Sequence, residues 1–352
     1  MTPLTDHRYR LLERLEQDPS GQRWLADKLD PRGVPVRPVV LKVAPPGGDA
    51  EEARRRAALF ERELVVTATL EHRNIIHVDG WGSDLFGSSP FFEMPHPQGL
   101  SLRELLERRR GSGGALPAQD VAWIGAQLAT GLRYAHAHDA PQLARAQARA
   151  RARALGAAPL LTPLTLQTRG VAHRGIWPGA IALDVYGDAK LTDWSITEPF
   201  DTVRHDRATF MSPEQLRGRS DGRSDVYSLG VTLTVALTGR DVFTPSTADS
   251  SARSSSRALL TAVLEGDREP VAELAPHAPP ALQGLLESMM DTEPERRPST
   301  DELIERFNGI VNALGDAYDV QQELGVRVAE HYRAPRRPAR LRLVHGGGGA
   351  RR

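Results

Sequence analysis

The stretch GVAHRGIWPGAIALDVYGDAKLTDWS, residues 170–195, sets the frame for the whole chain. It alternates turn chemistry with short apolar runs. The pattern predicts a strand over residues 181–183, a tight turn at Tyr186-Gly187-Asp188, and a second strand that ends at Asp193.

On the C-terminal side stands Thr209-Phe210-Met211-Ser212-Pro213-Glu214, followed by Gln215-Leu216-Arg217-Gly218. Ser224-Asp225-Val226-Tyr227-Ser228-Leu229-Gly230 then opens an apolar helix that runs through Leu237 to Gly239. Further helices are expected near 256–265, 279–290 and 300–314, with Pro294-Glu295-Arg296-Arg297-Pro298-Ser299 before the last of them.

On the N-terminal side, residues 117–138 place Val121, Ile124, Leu128, Leu132 and Ala135 along one side of a helix. Leu100 to Arg109 reads as a short helix and residues 111–114 as a flexible glycine loop. Residues 72–81 and 90–94 read as two strands, and Pro95-His96-Pro97-Gln98-Gly99 as a hinge. Farther back, Asp49 can cap a helix that continues to about Glu71, with Glu51 and Glu52 in its first turn. Residues 38–44, PVVLKVA, form a β-branched run that holds Lys42, and residues 8–26 form a strand pair about Asp18-Pro19-Ser20-Gly21. The two strands over 72–81 and 90–94 then complete a five-stranded antiparallel sheet.

Leu59, Glu63, Val66 and Leu70 share one helix face, so Glu63 interrupts an apolar stripe. A buried carboxylate requires a partner, and Lys42 is the nearest candidate. The alternative places Glu63 at the wet edge of the stripe and Lys42 on an exposed strand. Only three of the 45 basic residues are lysines, Lys28, Lys42 and Lys190. A lysine in an apolar strand of so arginine-rich a chain asks for a reason, because ammonium and guanidinium groups are not interchangeable in a tight site.

The 352 residues carry a formal net charge of zero, which provides no global field toward nucleic acid or membrane. With no cysteine, disulfides and thiolate metal sites are excluded. No apolar run reaches the length of a membrane span and no leader pattern opens the chain, so the expected location is the cytoplasm.

Taken in order, Lys42, Glu63, His72, Arg174, Asp193, Glu214, Asp225 and Arg297 resemble the protein kinase superfamily, in its bacterial serine/threonine form, over residues 8–314. The resemblance implies an α+β, two-lobed protein-kinase-like fold. Residues 1–97 would be a small lobe of antiparallel sheet plus one helix, and residues 98–314 a mostly helical large lobe. An Ala/Arg-rich insertion at about 139–169 interrupts the large lobe, and 315–352 is a C-terminal extension, Arg/Gly-rich and expected to be disordered at its end. The resemblance also implies that Glu214 and Arg297 form a buried ion pair and that Asp225 holds the backbone of the 173–175 turn.

For ATP and magnesium, the cofactors of the family, the resemblance assigns Lys42 to the α and β phosphates, Glu63 to orienting Lys42, and Asp193 to a metal ion. Gly21 is the one retained glycine of the phosphate loop, whose first two glycine positions hold Glu16 and Asp18. Met94 falls at the gatekeeper and His96 in the hinge, where Pro97 has no N–H to offer adenine. Trp194 and Ser195 follow Asp193 where the family has Phe and Gly. The family's catalytic aspartate, phosphate-steadying lysine and metal-binding asparagine correspond to Gly175, Trp177 and Ala180. None of these three side chains can accept a proton or ligate magnesium.

Two readings of the site follow. In the first the chain is a pseudokinase, a regulatory or scaffolding module that binds ATP weakly or not at all. In the second it is an unorthodox ATP-dependent kinase that works through Lys42, Glu63 and Asp193 with a base from elsewhere. Its partners are expected to be proteins, acidic ones if the arginines of residues 143–155 and of the tail from 331 to 352 make the contact. Thr197 and Thr202 are either ordinary loop residues or phosphorylation sites facing Arg174.

Overall fold

The computed structural model describes residues 8–18, 21–44, 50–85, 89–138, 170–194, 205–243 and 252–333. The cap at Asp49, the insertion at 139–169, Thr197, Thr202, Ser195 and the tail beyond Arg333 lie outside the described residues, as do the side chains of Glu16 and Asp18.

The small lobe is a five-stranded antiparallel sheet with one long helix. Strands β1 (Tyr9–Asp18), β2 (Gly21–Leu29), β3 (Pro35–Val43), β4 (Gly80–Leu85) and β5 (Ser89–Pro95) lie in the order β1-β2-β3-β5-β4. Helix α1 (Ala50–Thr69) packs Phe60, Leu64, Val65 and Ala68 against Val40, Phe92 and Met94 of the sheet. Val66 of this helix and Leu70 just beyond its end join the core of the large lobe, so the helix contributes to both halves.

Two expectations around the sheet are corrected. The strand expected over 72–81 begins only at Gly80. The backbone before it is committed elsewhere: Ile76 donates to the Leu191 carbonyl at 2.9 Å and Leu191 to the Asn74 carbonyl at 2.9 Å, a parallel bridge into the large lobe. The expected helix at Leu100 starts later, because Leu100 lies in β6 (Gly99–Ser101), which pairs with β7 (Ile181–Asp184). Helix α2 (Leu102–Arg108) follows, opened by a reciprocal cap between Ser101 and Glu104. The glycine segment after it contains a 3₁₀ turn at Arg110–Ser112.

The large lobe is built on α3 (Ala118–His136) and the helix Gly222–Thr238, both buried around most of their circumference. Helices Ala252–Glu265, Pro280–Met289 and Thr300–Leu314 correspond to those expected near 256–265, 279–290 and 300–314, the first beginning earlier, at Ala252. Strand β8 (Ala189–Leu191) pairs with β7 across the Gly187 turn, where φ is 78°. Asp184 fastens that turn by accepting from the N–H groups of Tyr186 and Asp188 at 2.9 and 3.0 Å.

The C-terminal extension holds an element the sequence reading did not assign. Residues Ala317–His331 form a helix capped by Asp316, with Val320, Leu324 and Val328 buried on the large lobe. Arg327 reaches the fully buried Asp120 of α3 at 2.6 Å. After this helix the ring of Tyr332 lies 6.2 Å from that of His96 in the hinge. Among the described residues no helix is long and apolar enough to cross a membrane.

Candidate functional site

Strands β2 and β3, helix α1 and the segment after β8 bring four charged side chains together. Lys42 Nζ donates to both oxygens of Glu63 at 2.7 and 2.8 Å and to Asp193 Oδ1 at 3.3 Å. The other oxygen of Asp193 accepts from Arg23 Nη2 at 2.7 Å. Lys42 and Glu63 are 1% and 3% exposed, so the reading that leaves them in water is set aside. Their meeting follows from local structure: α1 turns Glu63 into its apolar stripe, and β3 carries Lys42 on the facing side of the sheet.

Burial pushes the Glu63 carboxyl up, to about 7, against the pull of Lys42. For Asp193 burial works in the same upward sense, but Arg23 and then Lys42 outweigh it and hold the carboxyl well below the usual carboxylate range. Asp193 sits at φ 60°, in the left-handed region that side chains seldom adopt. Trp194 behind it is fully buried, its ring 4.6 Å from that of His173.

The loop 173–180 is held from below. Asp225 accepts from the backbone N–H of His173 and of Arg174, each at 2.7 Å, and contacts His136 Nε2 at 2.8 Å. These bonds sustain the positive φ of Arg174, 68°. His173 Nε2 meets the Thr192 carbonyl at 2.8 Å and its Nδ1 accepts from the Gly175 N–H, so the imidazole is neutral; burial lowers its pKa in the same direction. Glu214 and Arg297 form the buried pair expected of them, at 2.7 and 2.9 Å.

Inside this frame, the positions to which the resemblance assigns transfer chemistry hold no side-chain proton acceptor. Gly175 has no side chain, and Ala180 is fully buried. Trp177 is 6% exposed and lies beneath two guanidinium groups, Arg207 at 4.5 Å and Arg103 at 5.3 Å from the ring centroid. The indole is thus a packing and cation–π platform where the resemblance has a lysine.

The strand pairing itself requires a glycine at position 21. Its φ is 146°, and a Cβ there would lie 2.4 Å from the Val43 carbonyl oxygen of the neighbouring strand. Met94 is buried at the end of β5 opposite Val40. His96 is lowered in pKa by burial and its Nδ1 accepts from the Gln98 N–H at 3.1 Å.

These residues do not fit a magnesium–nucleotide group as they stand. The position that the resemblance gives to a second metal ligand is Ala180, both oxygens of Asp193 are engaged by cations, and no group of three or more His, Asp or Glu side chains able to hold a metal ion occurs among the described residues. Arg23 is the site residue that sequence reasoning missed. Period-two alternation from Gly21 was the available signal, since it puts Arg23 opposite Lys42 in the β2–β3 register.

Residues 163–307 match the protein kinase domain family. The chain is 30% identical over 329 residues to serine/threonine-protein kinase PknK of Mycobacterium tuberculosis, an overlap of 89% of this chain and 25% of that protein. It is 32% identical over 232 residues to serine/threonine-protein kinase PknL of Mycobacterium bovis, covering 62% of this chain and 47% of the relative. With serine/threonine-protein kinase PksC of Streptomyces coelicolor the identity is 28% over 257 residues, 69% of this chain and 39% of that one. The chain therefore spans between a quarter and a half of the length of these relatives. The segment matched to the family lies in the large lobe, where the Glu214, Asp225 and Arg297 framework resides.

Proposed function

We propose that this chain, which its two-lobed fold and its similarity to bacterial serine/threonine-protein kinases put in the protein kinase superfamily, is a pseudokinase that works as a binding module. The observation that carries this reading is the loop 173–180. The N–H groups at its start, residues 173–175, are held by Asp225 and His173, while the positions that would accept a proton, steady a phosphate and hold a second metal ion are Gly175, Trp177 and Ala180. A general base alone typically contributes about 10²–10⁴-fold to a rate. Loss of phosphate stabilisation deepens the deficit.

The partner is a protein, and the arginines of residues 143–155 and of the tail suit an acidic surface. Purified protein incubated with ATP and magnesium is expected to transfer no phosphate to itself or to a generic substrate. Robust transfer that Asp193→Asn abolishes would sink the reading.

A second reading is favoured by one observation, the assembled Lys42–Glu63–Asp193 set. In that reading the chain is an unorthodox ATP-dependent kinase whose base comes from elsewhere. It requires Arg23 to leave Asp193. Saturating Mg·ATP at about 100-fold over a dissociation constant would then stabilise the fold by roughly 2.7 kcal/mol. Absence of any thermal shift counts against it.

A further inference from the structure

We propose that Arg23 is a resident cation which takes the place of a metal ion at Asp193, so that the cleft is closed and charge-balanced without nucleotide. The inference deepens the pseudokinase reading and rests on it.

Arg23 follows Gly21 by two residues on β2, and the sheet register sets it directly across from Lys42. Both side chains therefore leave the same face of the sheet, toward the large lobe. The guanidinium of Arg23 meets Asp193 Oδ2 at 2.7 Å while the Lys42 ammonium takes Oδ1 at 3.3 Å and Glu63 at 2.7 Å. Side-chain exposure is 16% for Arg23 and 5% for Asp193, so the contact is made out of bulk water.

With Glu63 ionised, the two cations and two carboxylates sum to zero. A buried group of this kind gains little from further charge: bringing in a divalent ion would set it against the Arg23 guanidinium, and removing that guanidinium to water would cost its hydrogen bond. Arginine is suited to the post because it stays protonated at any pH the fold survives and presents its donors in a fixed plane. Unlike a metal ion, it cannot diffuse away. Because β2 belongs to the small lobe and Asp193 to the segment after β8, the same contact bridges the two halves.

The test uses the full chain with Mg·ATP, and Mn·ATP as a second probe, read by thermal shift and titration calorimetry. Arg23→Val is expected to bind at least tenfold more tightly than the wild type, or than the weakest binding the titration resolves where the wild type shows none, and the gain is expected to depend on the metal. Asp193→Asn in the Arg23→Val background should remove the gain. If Arg23→Val does not fold, Arg23→Gln, which keeps a donor toward Asp193 without the charge, takes its place under the same expectation. Wild-type binding as tight as that of the variant overturns the proposal, and so does a folded variant that binds no better than wild type. Phosphate transfer is measured in parallel on every protein. Transfer by the wild type defeats the pseudokinase reading, whereas the binding comparison decides the role of Arg23.

Discussion

At the residue scale, the pair of Glu214 and Arg297 has the clearest energetic signature. Burial would raise the Glu214 carboxyl, but Arg297 and then Ser224 bring it down to about 2 from an ordinary 4.5. A carboxylate depressed in the folded state stabilises the fold above its unfolded pKa, and that contribution fades as pH falls from about 4.5 toward about 2. Arg297→Ala should therefore cost about 3–5 kcal/mol near neutrality, with the gap from wild type closing progressively below about pH 4.5. Urea denaturation at stepped pH checks both limbs. A gap that does not change with pH would mean that Arg297 acts through packing alone. This pair was expected only through the resemblance to the kinase family, whereas for Lys42 and Glu63 an apolar stripe broken by one carboxylate asked for a counter-ion and the resemblance favoured their pairing over an exposed alternative. Arg23 was not legible from composition, since a strand arginine in an arginine-rich chain looks like solvent surface until the register sets it beside Lys42.

Among the elements, the helix Ala317–His331 was left unassigned although Val320, Leu324 and Val328 fall at i, i+4 and i+8 behind the Asp316 cap, spacing that puts them on one helix face. The Arg/Gly-rich end of the same extension masked that signal. Its place on the large lobe depends on Asp120, a carboxylate on the buried side of α3 whose pKa burial raises against the pull of Arg327. Arg327→Ala leaves that carboxylate without its partner and should destabilise the chain by about 1–3 kcal/mol. Asp120→Asn in the same background should recover part of the loss, because the uncompensated charge is gone. Chemical denaturation of the two single variants and the double variant measures the coupling. No recovery would show that the helix is held by its apolar face. The strand expected over 72–81 failed for another reason, since the local pattern could not reveal that residues 74–76 bond to Leu191 across the lobes. Long-range backbone pairing of this kind leaves no periodic trace.

For the molecule as a whole, the frame of both lobes was readable because its markers are scattered along the chain in a fixed order, while the closed state of the cleft depends on contacts 151 and 170 residues apart. The parallel bridge at Ile75 and Leu191 has a mechanical consequence. The strand that delivers Asp193 is fastened on one side to the small lobe through Asn74 and Ile76. On the other it is fastened to the loop through Thr192, whose N–H reaches the Ala180 carbonyl at 2.9 Å and whose carbonyl meets His173. It resembles a door hinge with both leaves screwed to the same post. Amide protons of Ile76, Leu191 and Thr192 should then exchange with deuterium at one common rate, that of global unfolding, with or without Mg·ATP. Faster exchange at Ile76 than at Thr192 would reveal a lobe that swings. A partner that straddles the described lobes would then meet them in one arrangement, with or without nucleotide.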